Sequence, residues 1–386
     1  MPGYEVIGEE EQAQLLDIFK HGSVLFRHGF DNRRSGCYKV RTFEKEFAMV
    51  MNIPYALAVS SGTAALRVAL AALNLQPGDE VITQCFTFVA TVEAIIESRA
   101  TPVCTEIDDT FNMDPIDLER RITSRTKAVI VVHMLGTPAR LVEIKRICDR
   151  HGLSLIEDTA WGCGGTLQRK SLGTWGRMGT YSFDFAKTMT TGEGGMVVFQ
   201  QQEDYERAAA WHDHGHENNP AVPRWEDTRK SSGFNCRMSE LQGAVGLAQL
   251  KKLPDIVASQ CKNREKLWCA IKNIPGITPR VVPTGSEETA DALVFSVADS
   301  QKAMDCRKNL LAKNISTKIL PEATTWHFAA AWTHMPELVD SYQGKLEDAF
   351  PQSKSLLDRS VSLPVSVFED TYQIEEVYDA IQGALR

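Results

Sequence analysis

From Tyr55 to Ser182 the chain alternates short apolar runs with longer amphipathic stretches, and this alternation limits the fold more than any other feature. Tyr55-Ala56-Leu57-Ala58-Val59, Glu80-Val81-Ile82-Thr83, the run 101–106, Ala128-Val129-Ile130-Val131-Val132 and the run 153–156 read as strands. Between them, 64–73, 89–98 and 139–150 carry helical spacing. Strands with so few polar residues need cover on both faces, which a parallel sheet between two helix layers provides. The pattern predicts an α/β fold with a mostly parallel sheet.

Upstream, 9–19 and 41–51 read as helices on either side of an irregular stretch marked by Gly22, Gly29 and Gly36. Beyond Pro254 the texture changes. A helix over 255–271 leads into Pro275, Pro279 and Pro283, then a strand over 293–297 and helices over 301–313 and 374–385. A chain of 386 residues has room for two domains. The predicted division is an N-terminal arm and helix over 1–30 packed on the small domain, a large domain over 31–254, and a smaller C-terminal α+β domain over 255–386.

The net charge is −8 and basic residues are scattered, which argues against a nucleic-acid partner. The N-terminal residues lack the basic and apolar regions of a signal peptide, and no apolar run approaches the roughly 20 residues that cross a bilayer. Nine cysteines, an odd count with no Cys-x-x-Cys pair, read as reduced thiols and not as a disulfide frame or a metal site. These features predict a cytoplasmic protein without a membrane partner.

Chemistry concentrates around Lys187, in Ser182-Phe183-Asp184-Phe185-Ala186-Lys187-Thr188-Met189-Thr190-Thr191-Gly192-Glu193-Gly194-Gly195. Asp158 closes the apolar run Leu153-Ser154-Leu155-Ile156-Glu157-Asp158, and Ser60-Ser61-Gly62-Thr63 joins a strand to a helix. A crowded lysine, an acid at a strand end and a hydroxyl–glycine turn are what pyridoxal 5′-phosphate (PLP) requires. The amine bonds the aldehyde, the carboxylate keeps the pyridine nitrogen protonated, and the helix start takes the phosphate. Each residue alone has a plainer reading. Ser-Gly-Thr is commonly an N-cap, Asp158 a turn acid, Phe86 or Phe88 a core aromatic, and His133 a satisfied structural group. Their order along successive strands carries the inference.

The same residues resemble the DegT/DnrJ/EryC1/StrS family of PLP-dependent sugar aminotransferases, of type I aspartate-aminotransferase fold. The resemblance is densest in Ser60–Leu66, Gly78-Asp79-Glu80-Val81-Ile82, Thr87-Phe88-Val89-Ala90-Thr91, Val132-His133-Met134-Leu135-Gly136, Ile156-Glu157-Asp158, the Lys187 segment, and Asn235-Cys236-Arg237-Met238-Ser239-Glu240. It implies a seven-stranded, mostly parallel sheet between helices. It makes Lys187 the Schiff-base lysine, Asp158 the partner of the pyridine nitrogen and Phe88 the aromatic stacked on the ring. Gly62, Thr63 and Ser182 become phosphate ligands. Asn235 reaches the phosphate of a neighbouring subunit, which implies a homodimer with shared active sites, and Arg237 lies beside it. His133, His214, His216 and His327 are candidates for substrate contacts.

The implied reaction moves an amino group from glutamate to a keto sugar. Relatives that become 3-dehydratases carry histidine in place of the lysine, which Lys187 argues against. Met1-Pro2-Gly3-Tyr4, Asp213-His214-Gly215-His216 and Trp326-His327 are similar to the branch that converts an 8-keto-3-deoxy-octulosonate to 8-amino-3,8-dideoxy-octulosonate. A nucleotide-linked keto sugar is the alternative acceptor. One departure stands out: Trp161 fills the slot, three residues after the aspartate, where the family usually has glutamine near the PLP ring oxygen. An indole has a single N–H donor and far more bulk. Elimination or substitution on an amino acid is the second PLP reading that Trp161 raises, and a non-catalytic sensor is the third.

Overall fold

The computed structural model describes residues 2–219, 221–368 and 373–386, so Met1 of the N-terminal motif lies outside the described residues. Seven strands build the large sheet: β1 (Tyr55–Val59), β2 (Glu80–Gln84), β3 (Thr101–Thr105), β4 (Thr126–Val132), β5 (Ser154–Asp158), β6 (Met178–Ser182) and β7 (Gly195–Phe199). Their order is β1-β7-β6-β5-β4-β2-β3. β7 pairs antiparallel with β1 and β6, while every other pairing is parallel. The predicted strands lie within a residue or two of these bounds. β7 has no predicted counterpart, because it begins inside the glycine-rich segment after Lys187 and only Met196 to Phe199 mark it.

Strand alternation sorts the sheet's side chains onto its two faces. On β1, Leu57 and Val59 join a core with Leu66 and Leu70 of the Gly62–Ala72 helix. Ala56 and Ala58 face the other way, toward Phe43 and Phe47 of the Lys39–Met51 helix. That second layer also holds the first half of a long helix, Glu240–Ile271. Gly243 lets this helix approach closely, since a Cβ there would lie 2.7 Å from the Val40 backbone nitrogen.

The helix expected over 255–271 is the second half of this longer one. The longer helix runs unbroken through Pro254, so the division at 254 falls inside a helix. Its far end enters a second core with Phe295, Leu310, Val361 and Ile381, around a small antiparallel sheet of β8 (Thr278–Pro279), β9 (Ala292–Ser296) and β10 (Ser360–Pro364). The segment 319–357 packs elsewhere. Phe328, Trp332, Leu338 and Phe350 share a core with Phe86, Val89 and Ile107 beside the large sheet. The Tyr342 hydroxyl accepts the Cys104 N–H at 2.7 Å and donates to the Cys104 carbonyl at 2.8 Å. This covers β3, which would otherwise offer a bare sheet edge.

The N-terminal Glu9–Lys20 helix lies along the long helix. Lys252 bridges Glu10 at 3.0 Å and Glu11 at 2.8 Å. Glu5 reaches the C-terminal part, accepting the Val367 N–H and the Ser366 hydroxyl, each at 2.7 Å.

Candidate active site

The carboxyl ends of the strands open onto one pocket of about 340 Å³. Ligands collect at that end of open α/β sheets because loops and helix starts converge there. Asp158 ends β5, Ser182 ends β6, Phe88 follows β2, and the Gly62 helix begins after β1. All four lie on the pocket wall, together with Thr63, Trp161, Lys187 and His327.

One end of the pocket is built for an anion. Ser61 caps the helix, its Oγ accepting the Ala64 N–H at 3.1 Å. The Gly62 and Thr63 N–H groups precede the first intrahelical bond and point with the positive end of the helix dipole. Gly62 is required for closeness: a Cβ there would lie 2.6 Å from the Ser182 Cβ and 2.8 Å from its Oγ. A bare α-carbon lets the Ser182 hydroxyl stand beside the helix start, where a phosphate would be received.

Lys187 is partly buried, its Nζ 3.4 Å from the centre of the Trp161 ring. Burial pulls its pKa down to about 8, opposed by the nearby Asp291 carboxylate and assisted by the Lys318 charge. The N-terminal arm braces its loop. The Gly3 N–H donates to the Lys187 carbonyl at 3.1 Å, and the Tyr4 ring packs on Phe185 with centroids 4.5 Å apart. Gln249 ties the two segments, donating to the Gly3 carbonyl at 3.1 Å and accepting the Thr190 N–H at 3.2 Å. Because the neutral amine is the nucleophile, cofactor-free protein is expected to capture added PLP at a rate that rises with pH through about 8. Stopped-flow absorbance would read this; a midpoint at the ordinary lysine value would mean that burial does not act on the amine.

Asp158 is buried, accepting the Thr91 hydroxyl at 3.0 Å on Oδ2 and the Ala160 N–H at 3.2 Å on Oδ1. Burial pushes its carboxyl above the usual range, against these two donors and the Lys187 charge. A carboxylate so placed is completed by a cation, and the protonated pyridine of PLP is one. Thr87 bonds the Thr91 hydroxyl at 2.8 Å, forming a short chain to Asp158. Sequence reading gave Thr91 no role. Its place three residues after Phe88 was visible, but threonine at a helix start ordinarily reads as a local cap. Phe88 and Trp161 supply aromatic wall, and Phe88 is itself stacked on Trp326 at an interplanar angle of 10°. The lysine, acid, aromatic wall and anion cradle together fit PLP.

Several predicted residues lie elsewhere. His133 is fully buried but is not on the pocket wall. Its Nδ1 accepts the Ala139 N–H at 3.1 Å, so Nε2 carries the proton and donates to Glu157 at 3.3 Å. Both ring nitrogens are therefore engaged within the protein. His214 is exposed and sits in a left-handed turn at φ 55°. His216 pairs with Asp227 at 3.2 Å, and Arg237 is engaged by Asp213. Neither they nor His214 line the pocket. Asn235 is exposed and also off the wall. His327 is on it: burial pushes its pKa down to about 4, and its Nδ1 donates to the Ala323 carbonyl at 3.2 Å, leaving Nε2 as an acceptor.

Residues 20–382 match the model of the DegT/DnrJ/EryC1/StrS aminotransferase family. The spore coat polysaccharide biosynthesis protein SpsC of Bacillus subtilis (strain 168) is 34% identical over 400 residues, covering 98% of this chain and 96% of its own. The GDP-perosamine synthase of Vibrio cholerae is 31% identical over 387 residues, covering 99% and 98%. Among solved structures, the aminotransferase from Psychrobacter cryohalolentis superposes with a TM-score of 0.85 at 27% identity, covering 98% of this chain and 96% of that one.

Proposed function

The chain belongs to the DegT/DnrJ/EryC1/StrS aminotransferase family, which is PLP-dependent, and on that premise we propose that it moves an amino group from glutamate to a keto sugar. The carrying observation is that Lys187 and Asp158 converge on one pocket whose far end is an anion cradle. Bound PLP supplies an electron-poor ring that accepts the electron pair left when a proton departs from the donor α-carbon. Lys187 is the amine that would hold the cofactor aldehyde, and the same amine would take and return the donor's α-proton. Asp158 would keep the pyridine nitrogen protonated. The Gly62 and Thr63 N–H groups and the Ser182 hydroxyl would hold the phosphate, and Phe88 and Trp161 would supply aromatic wall to the ring. His327 Nε2, an acceptor on the pocket wall, would take a hydroxyl of the sugar.

Two acceptor classes are proposed. The V. cholerae relative is named for a GDP-linked product, which favours a nucleotide-linked keto sugar. The 8-keto-3-deoxy-octulosonate reading rests on Gly3-Tyr4, which brace the Lys187 loop, on His327 of the pocket lining, and on Trp326, which stacks on Phe88. The position of Trp161 against Lys187 keeps elimination as the competing chemistry. Asn235, exposed and off its own pocket, is free to complete the site of a second copy in a homodimer.

The test is a half-reaction. PLP-loaded protein given glutamate is expected to lose its visible absorbance and accumulate pyridoxamine 5′-phosphate, then regain the starting spectrum with a keto sugar. An 8-keto-octulosonate and a GDP-linked keto sugar, run side by side, would divide the two acceptors. Ammonia release without pyridoxamine phosphate would replace amino transfer with elimination, and a monomer in sedimentation would remove the shared-site reading.

A further inference from the structure

The pocket wall is short of cations for the substrates it must hold. Asp158, Asp184 and Glu193 face it, and the basic groups among the described lining residues are Lys187 and His327. Lys187 is committed to the cofactor aldehyde. His327 is neutral near pH 7, since burial holds its pKa at about 4. An amino-acid donor brings at least one carboxylate, and a sugar acid brings another.

Lys318 is off the pocket lining but lies against Trp161, which is on it. Its Nζ lies 4.9 Å from the centre of the same Trp161 ring that Lys187 Nζ approaches at 3.4 Å. The side chain is 18% exposed, not sealed in. Asp291, almost fully buried, grips the ammonium with both carboxylate oxygens, at 2.6 and 2.7 Å. An ammonium has three N–H donors, so this grip fixes its position and leaves one donor for a ligand. The charge is felt inside the pocket, where it presses both Lys187 and His327 toward their neutral forms.

We propose that Lys318, held by Asp291, is a specificity determinant that receives a carboxylate of the substrate beside Trp161. The proposal rests on the aminotransferase reading for what enters the pocket. The carboxylate belongs either to the amino donor or to a sugar acid, and the chemistry of recognition is the same. Asp291 sets the position of the donor group; Lys318 makes the contact.

The test is calorimetric binding to PLP-loaded protein of two probes, glutarate for the donor and 3-deoxy-octulosonate for the sugar acid. Lys318→Met is expected to weaken at least one by about ten- to a hundredfold, the loss of a charge-assisted hydrogen bond, and Lys318→Arg to restore most of it. Loss for glutarate alone assigns the carboxylate to the donor, and loss for the sugar acid alone assigns it to the acceptor. Lys318→Met strands the buried Asp291, so the double variant Asp291→Asn/Lys318→Met is measured alongside as a folded control. Equal binding of both probes by wild type and double variant overturns the proposal, as does wild type that binds neither. Binding is read without turnover. A protein that holds glutarate through Lys318 yet never transaminates glutamate would sink the aminotransferase reading and leave Lys318 in place.

Discussion

Lys187→Ala will lower amino transfer by about a thousandfold or more, with little change in folding. The lysine serves twice, as the covalent anchor and as the group that moves the α-proton. The proton-transfer role alone is typically worth about 10²–10⁴ in rate. The competing energies are small. The contact of Nζ with the Trp161 ring, at 3.4 Å, is a desolvated cation–π pair worth about 2 kcal/mol. It opposes the cost of burying an amine whose pKa is already down to about 8. Removing both together should leave the melting temperature nearly unchanged, because the arm braces the loop through the Lys187 backbone carbonyl, which alanine keeps. Borohydride should fix PLP to wild-type protein at position 187 and to the variant nowhere. Fixation at another lysine, or activity within tenfold of wild type, would remove Lys187 from the chemistry.

Much of this site could be read from the sequence because its parts are local. A strand that ends in an acid, a Ser-Gly-Thr turn before a helix and a lysine among small residues each announce themselves within a few positions. What failed to show was the direction of side chains and contacts made over distance. Glu157 and Asp158 are adjacent acids on one strand, and strand alternation sends them to opposite sides. Asp158 enters the pocket, while Glu157 takes the N–H groups of Gly173, Trp175 and Gly176 and the His133 ring. The carboxylate that engages His133 is 24 positions away, on the neighbouring strand. The Asp291–Lys318 pair is 27 positions apart and joins two segments with no motif of their own. Pro254 suggested a break because proline lacks the N–H that a helix interior uses. Packing of the long helix in two successive cores outweighs that loss. The N-terminal arm is the strongest case: Gly3 and Tyr4, outside the predicted large domain, reach Lys187 and Phe185 deep within its sequence.

Asp158→Asn should separate holding the cofactor from using it. The amide has nearly the shape of the carboxylate, and the Ala160 peptide N–H can only donate, so the amide oxygen must take Oδ1's place. The amide nitrogen then occupies the Oδ2 position, where the Thr91 hydroxyl can turn to accept and pass its own proton toward Thr87. Folding therefore loses no hydrogen bond. It sheds a carboxyl that burial has pushed upward, a group whose contribution is favourable when protonated at low pH and is lost as pH rises through its raised pKa. At neutral pH the cofactor-free variant should melt no lower than wild type. Catalysis moves the other way. An amide N–H facing the pyridine nitrogen favours the unprotonated ring, which is a poor acceptor of electrons. Breaking a buried ion pair costs about 3–5 kcal/mol, which corresponds to a loss of about a hundred- to a few thousandfold in the half-reaction with glutamate. PLP should still be retained through Gly62, Thr63, Ser182 and Lys187. A variant that transfers amino groups within tenfold of wild type would mean that Asp158 does not hold the ring proton, whatever its place on the pocket wall.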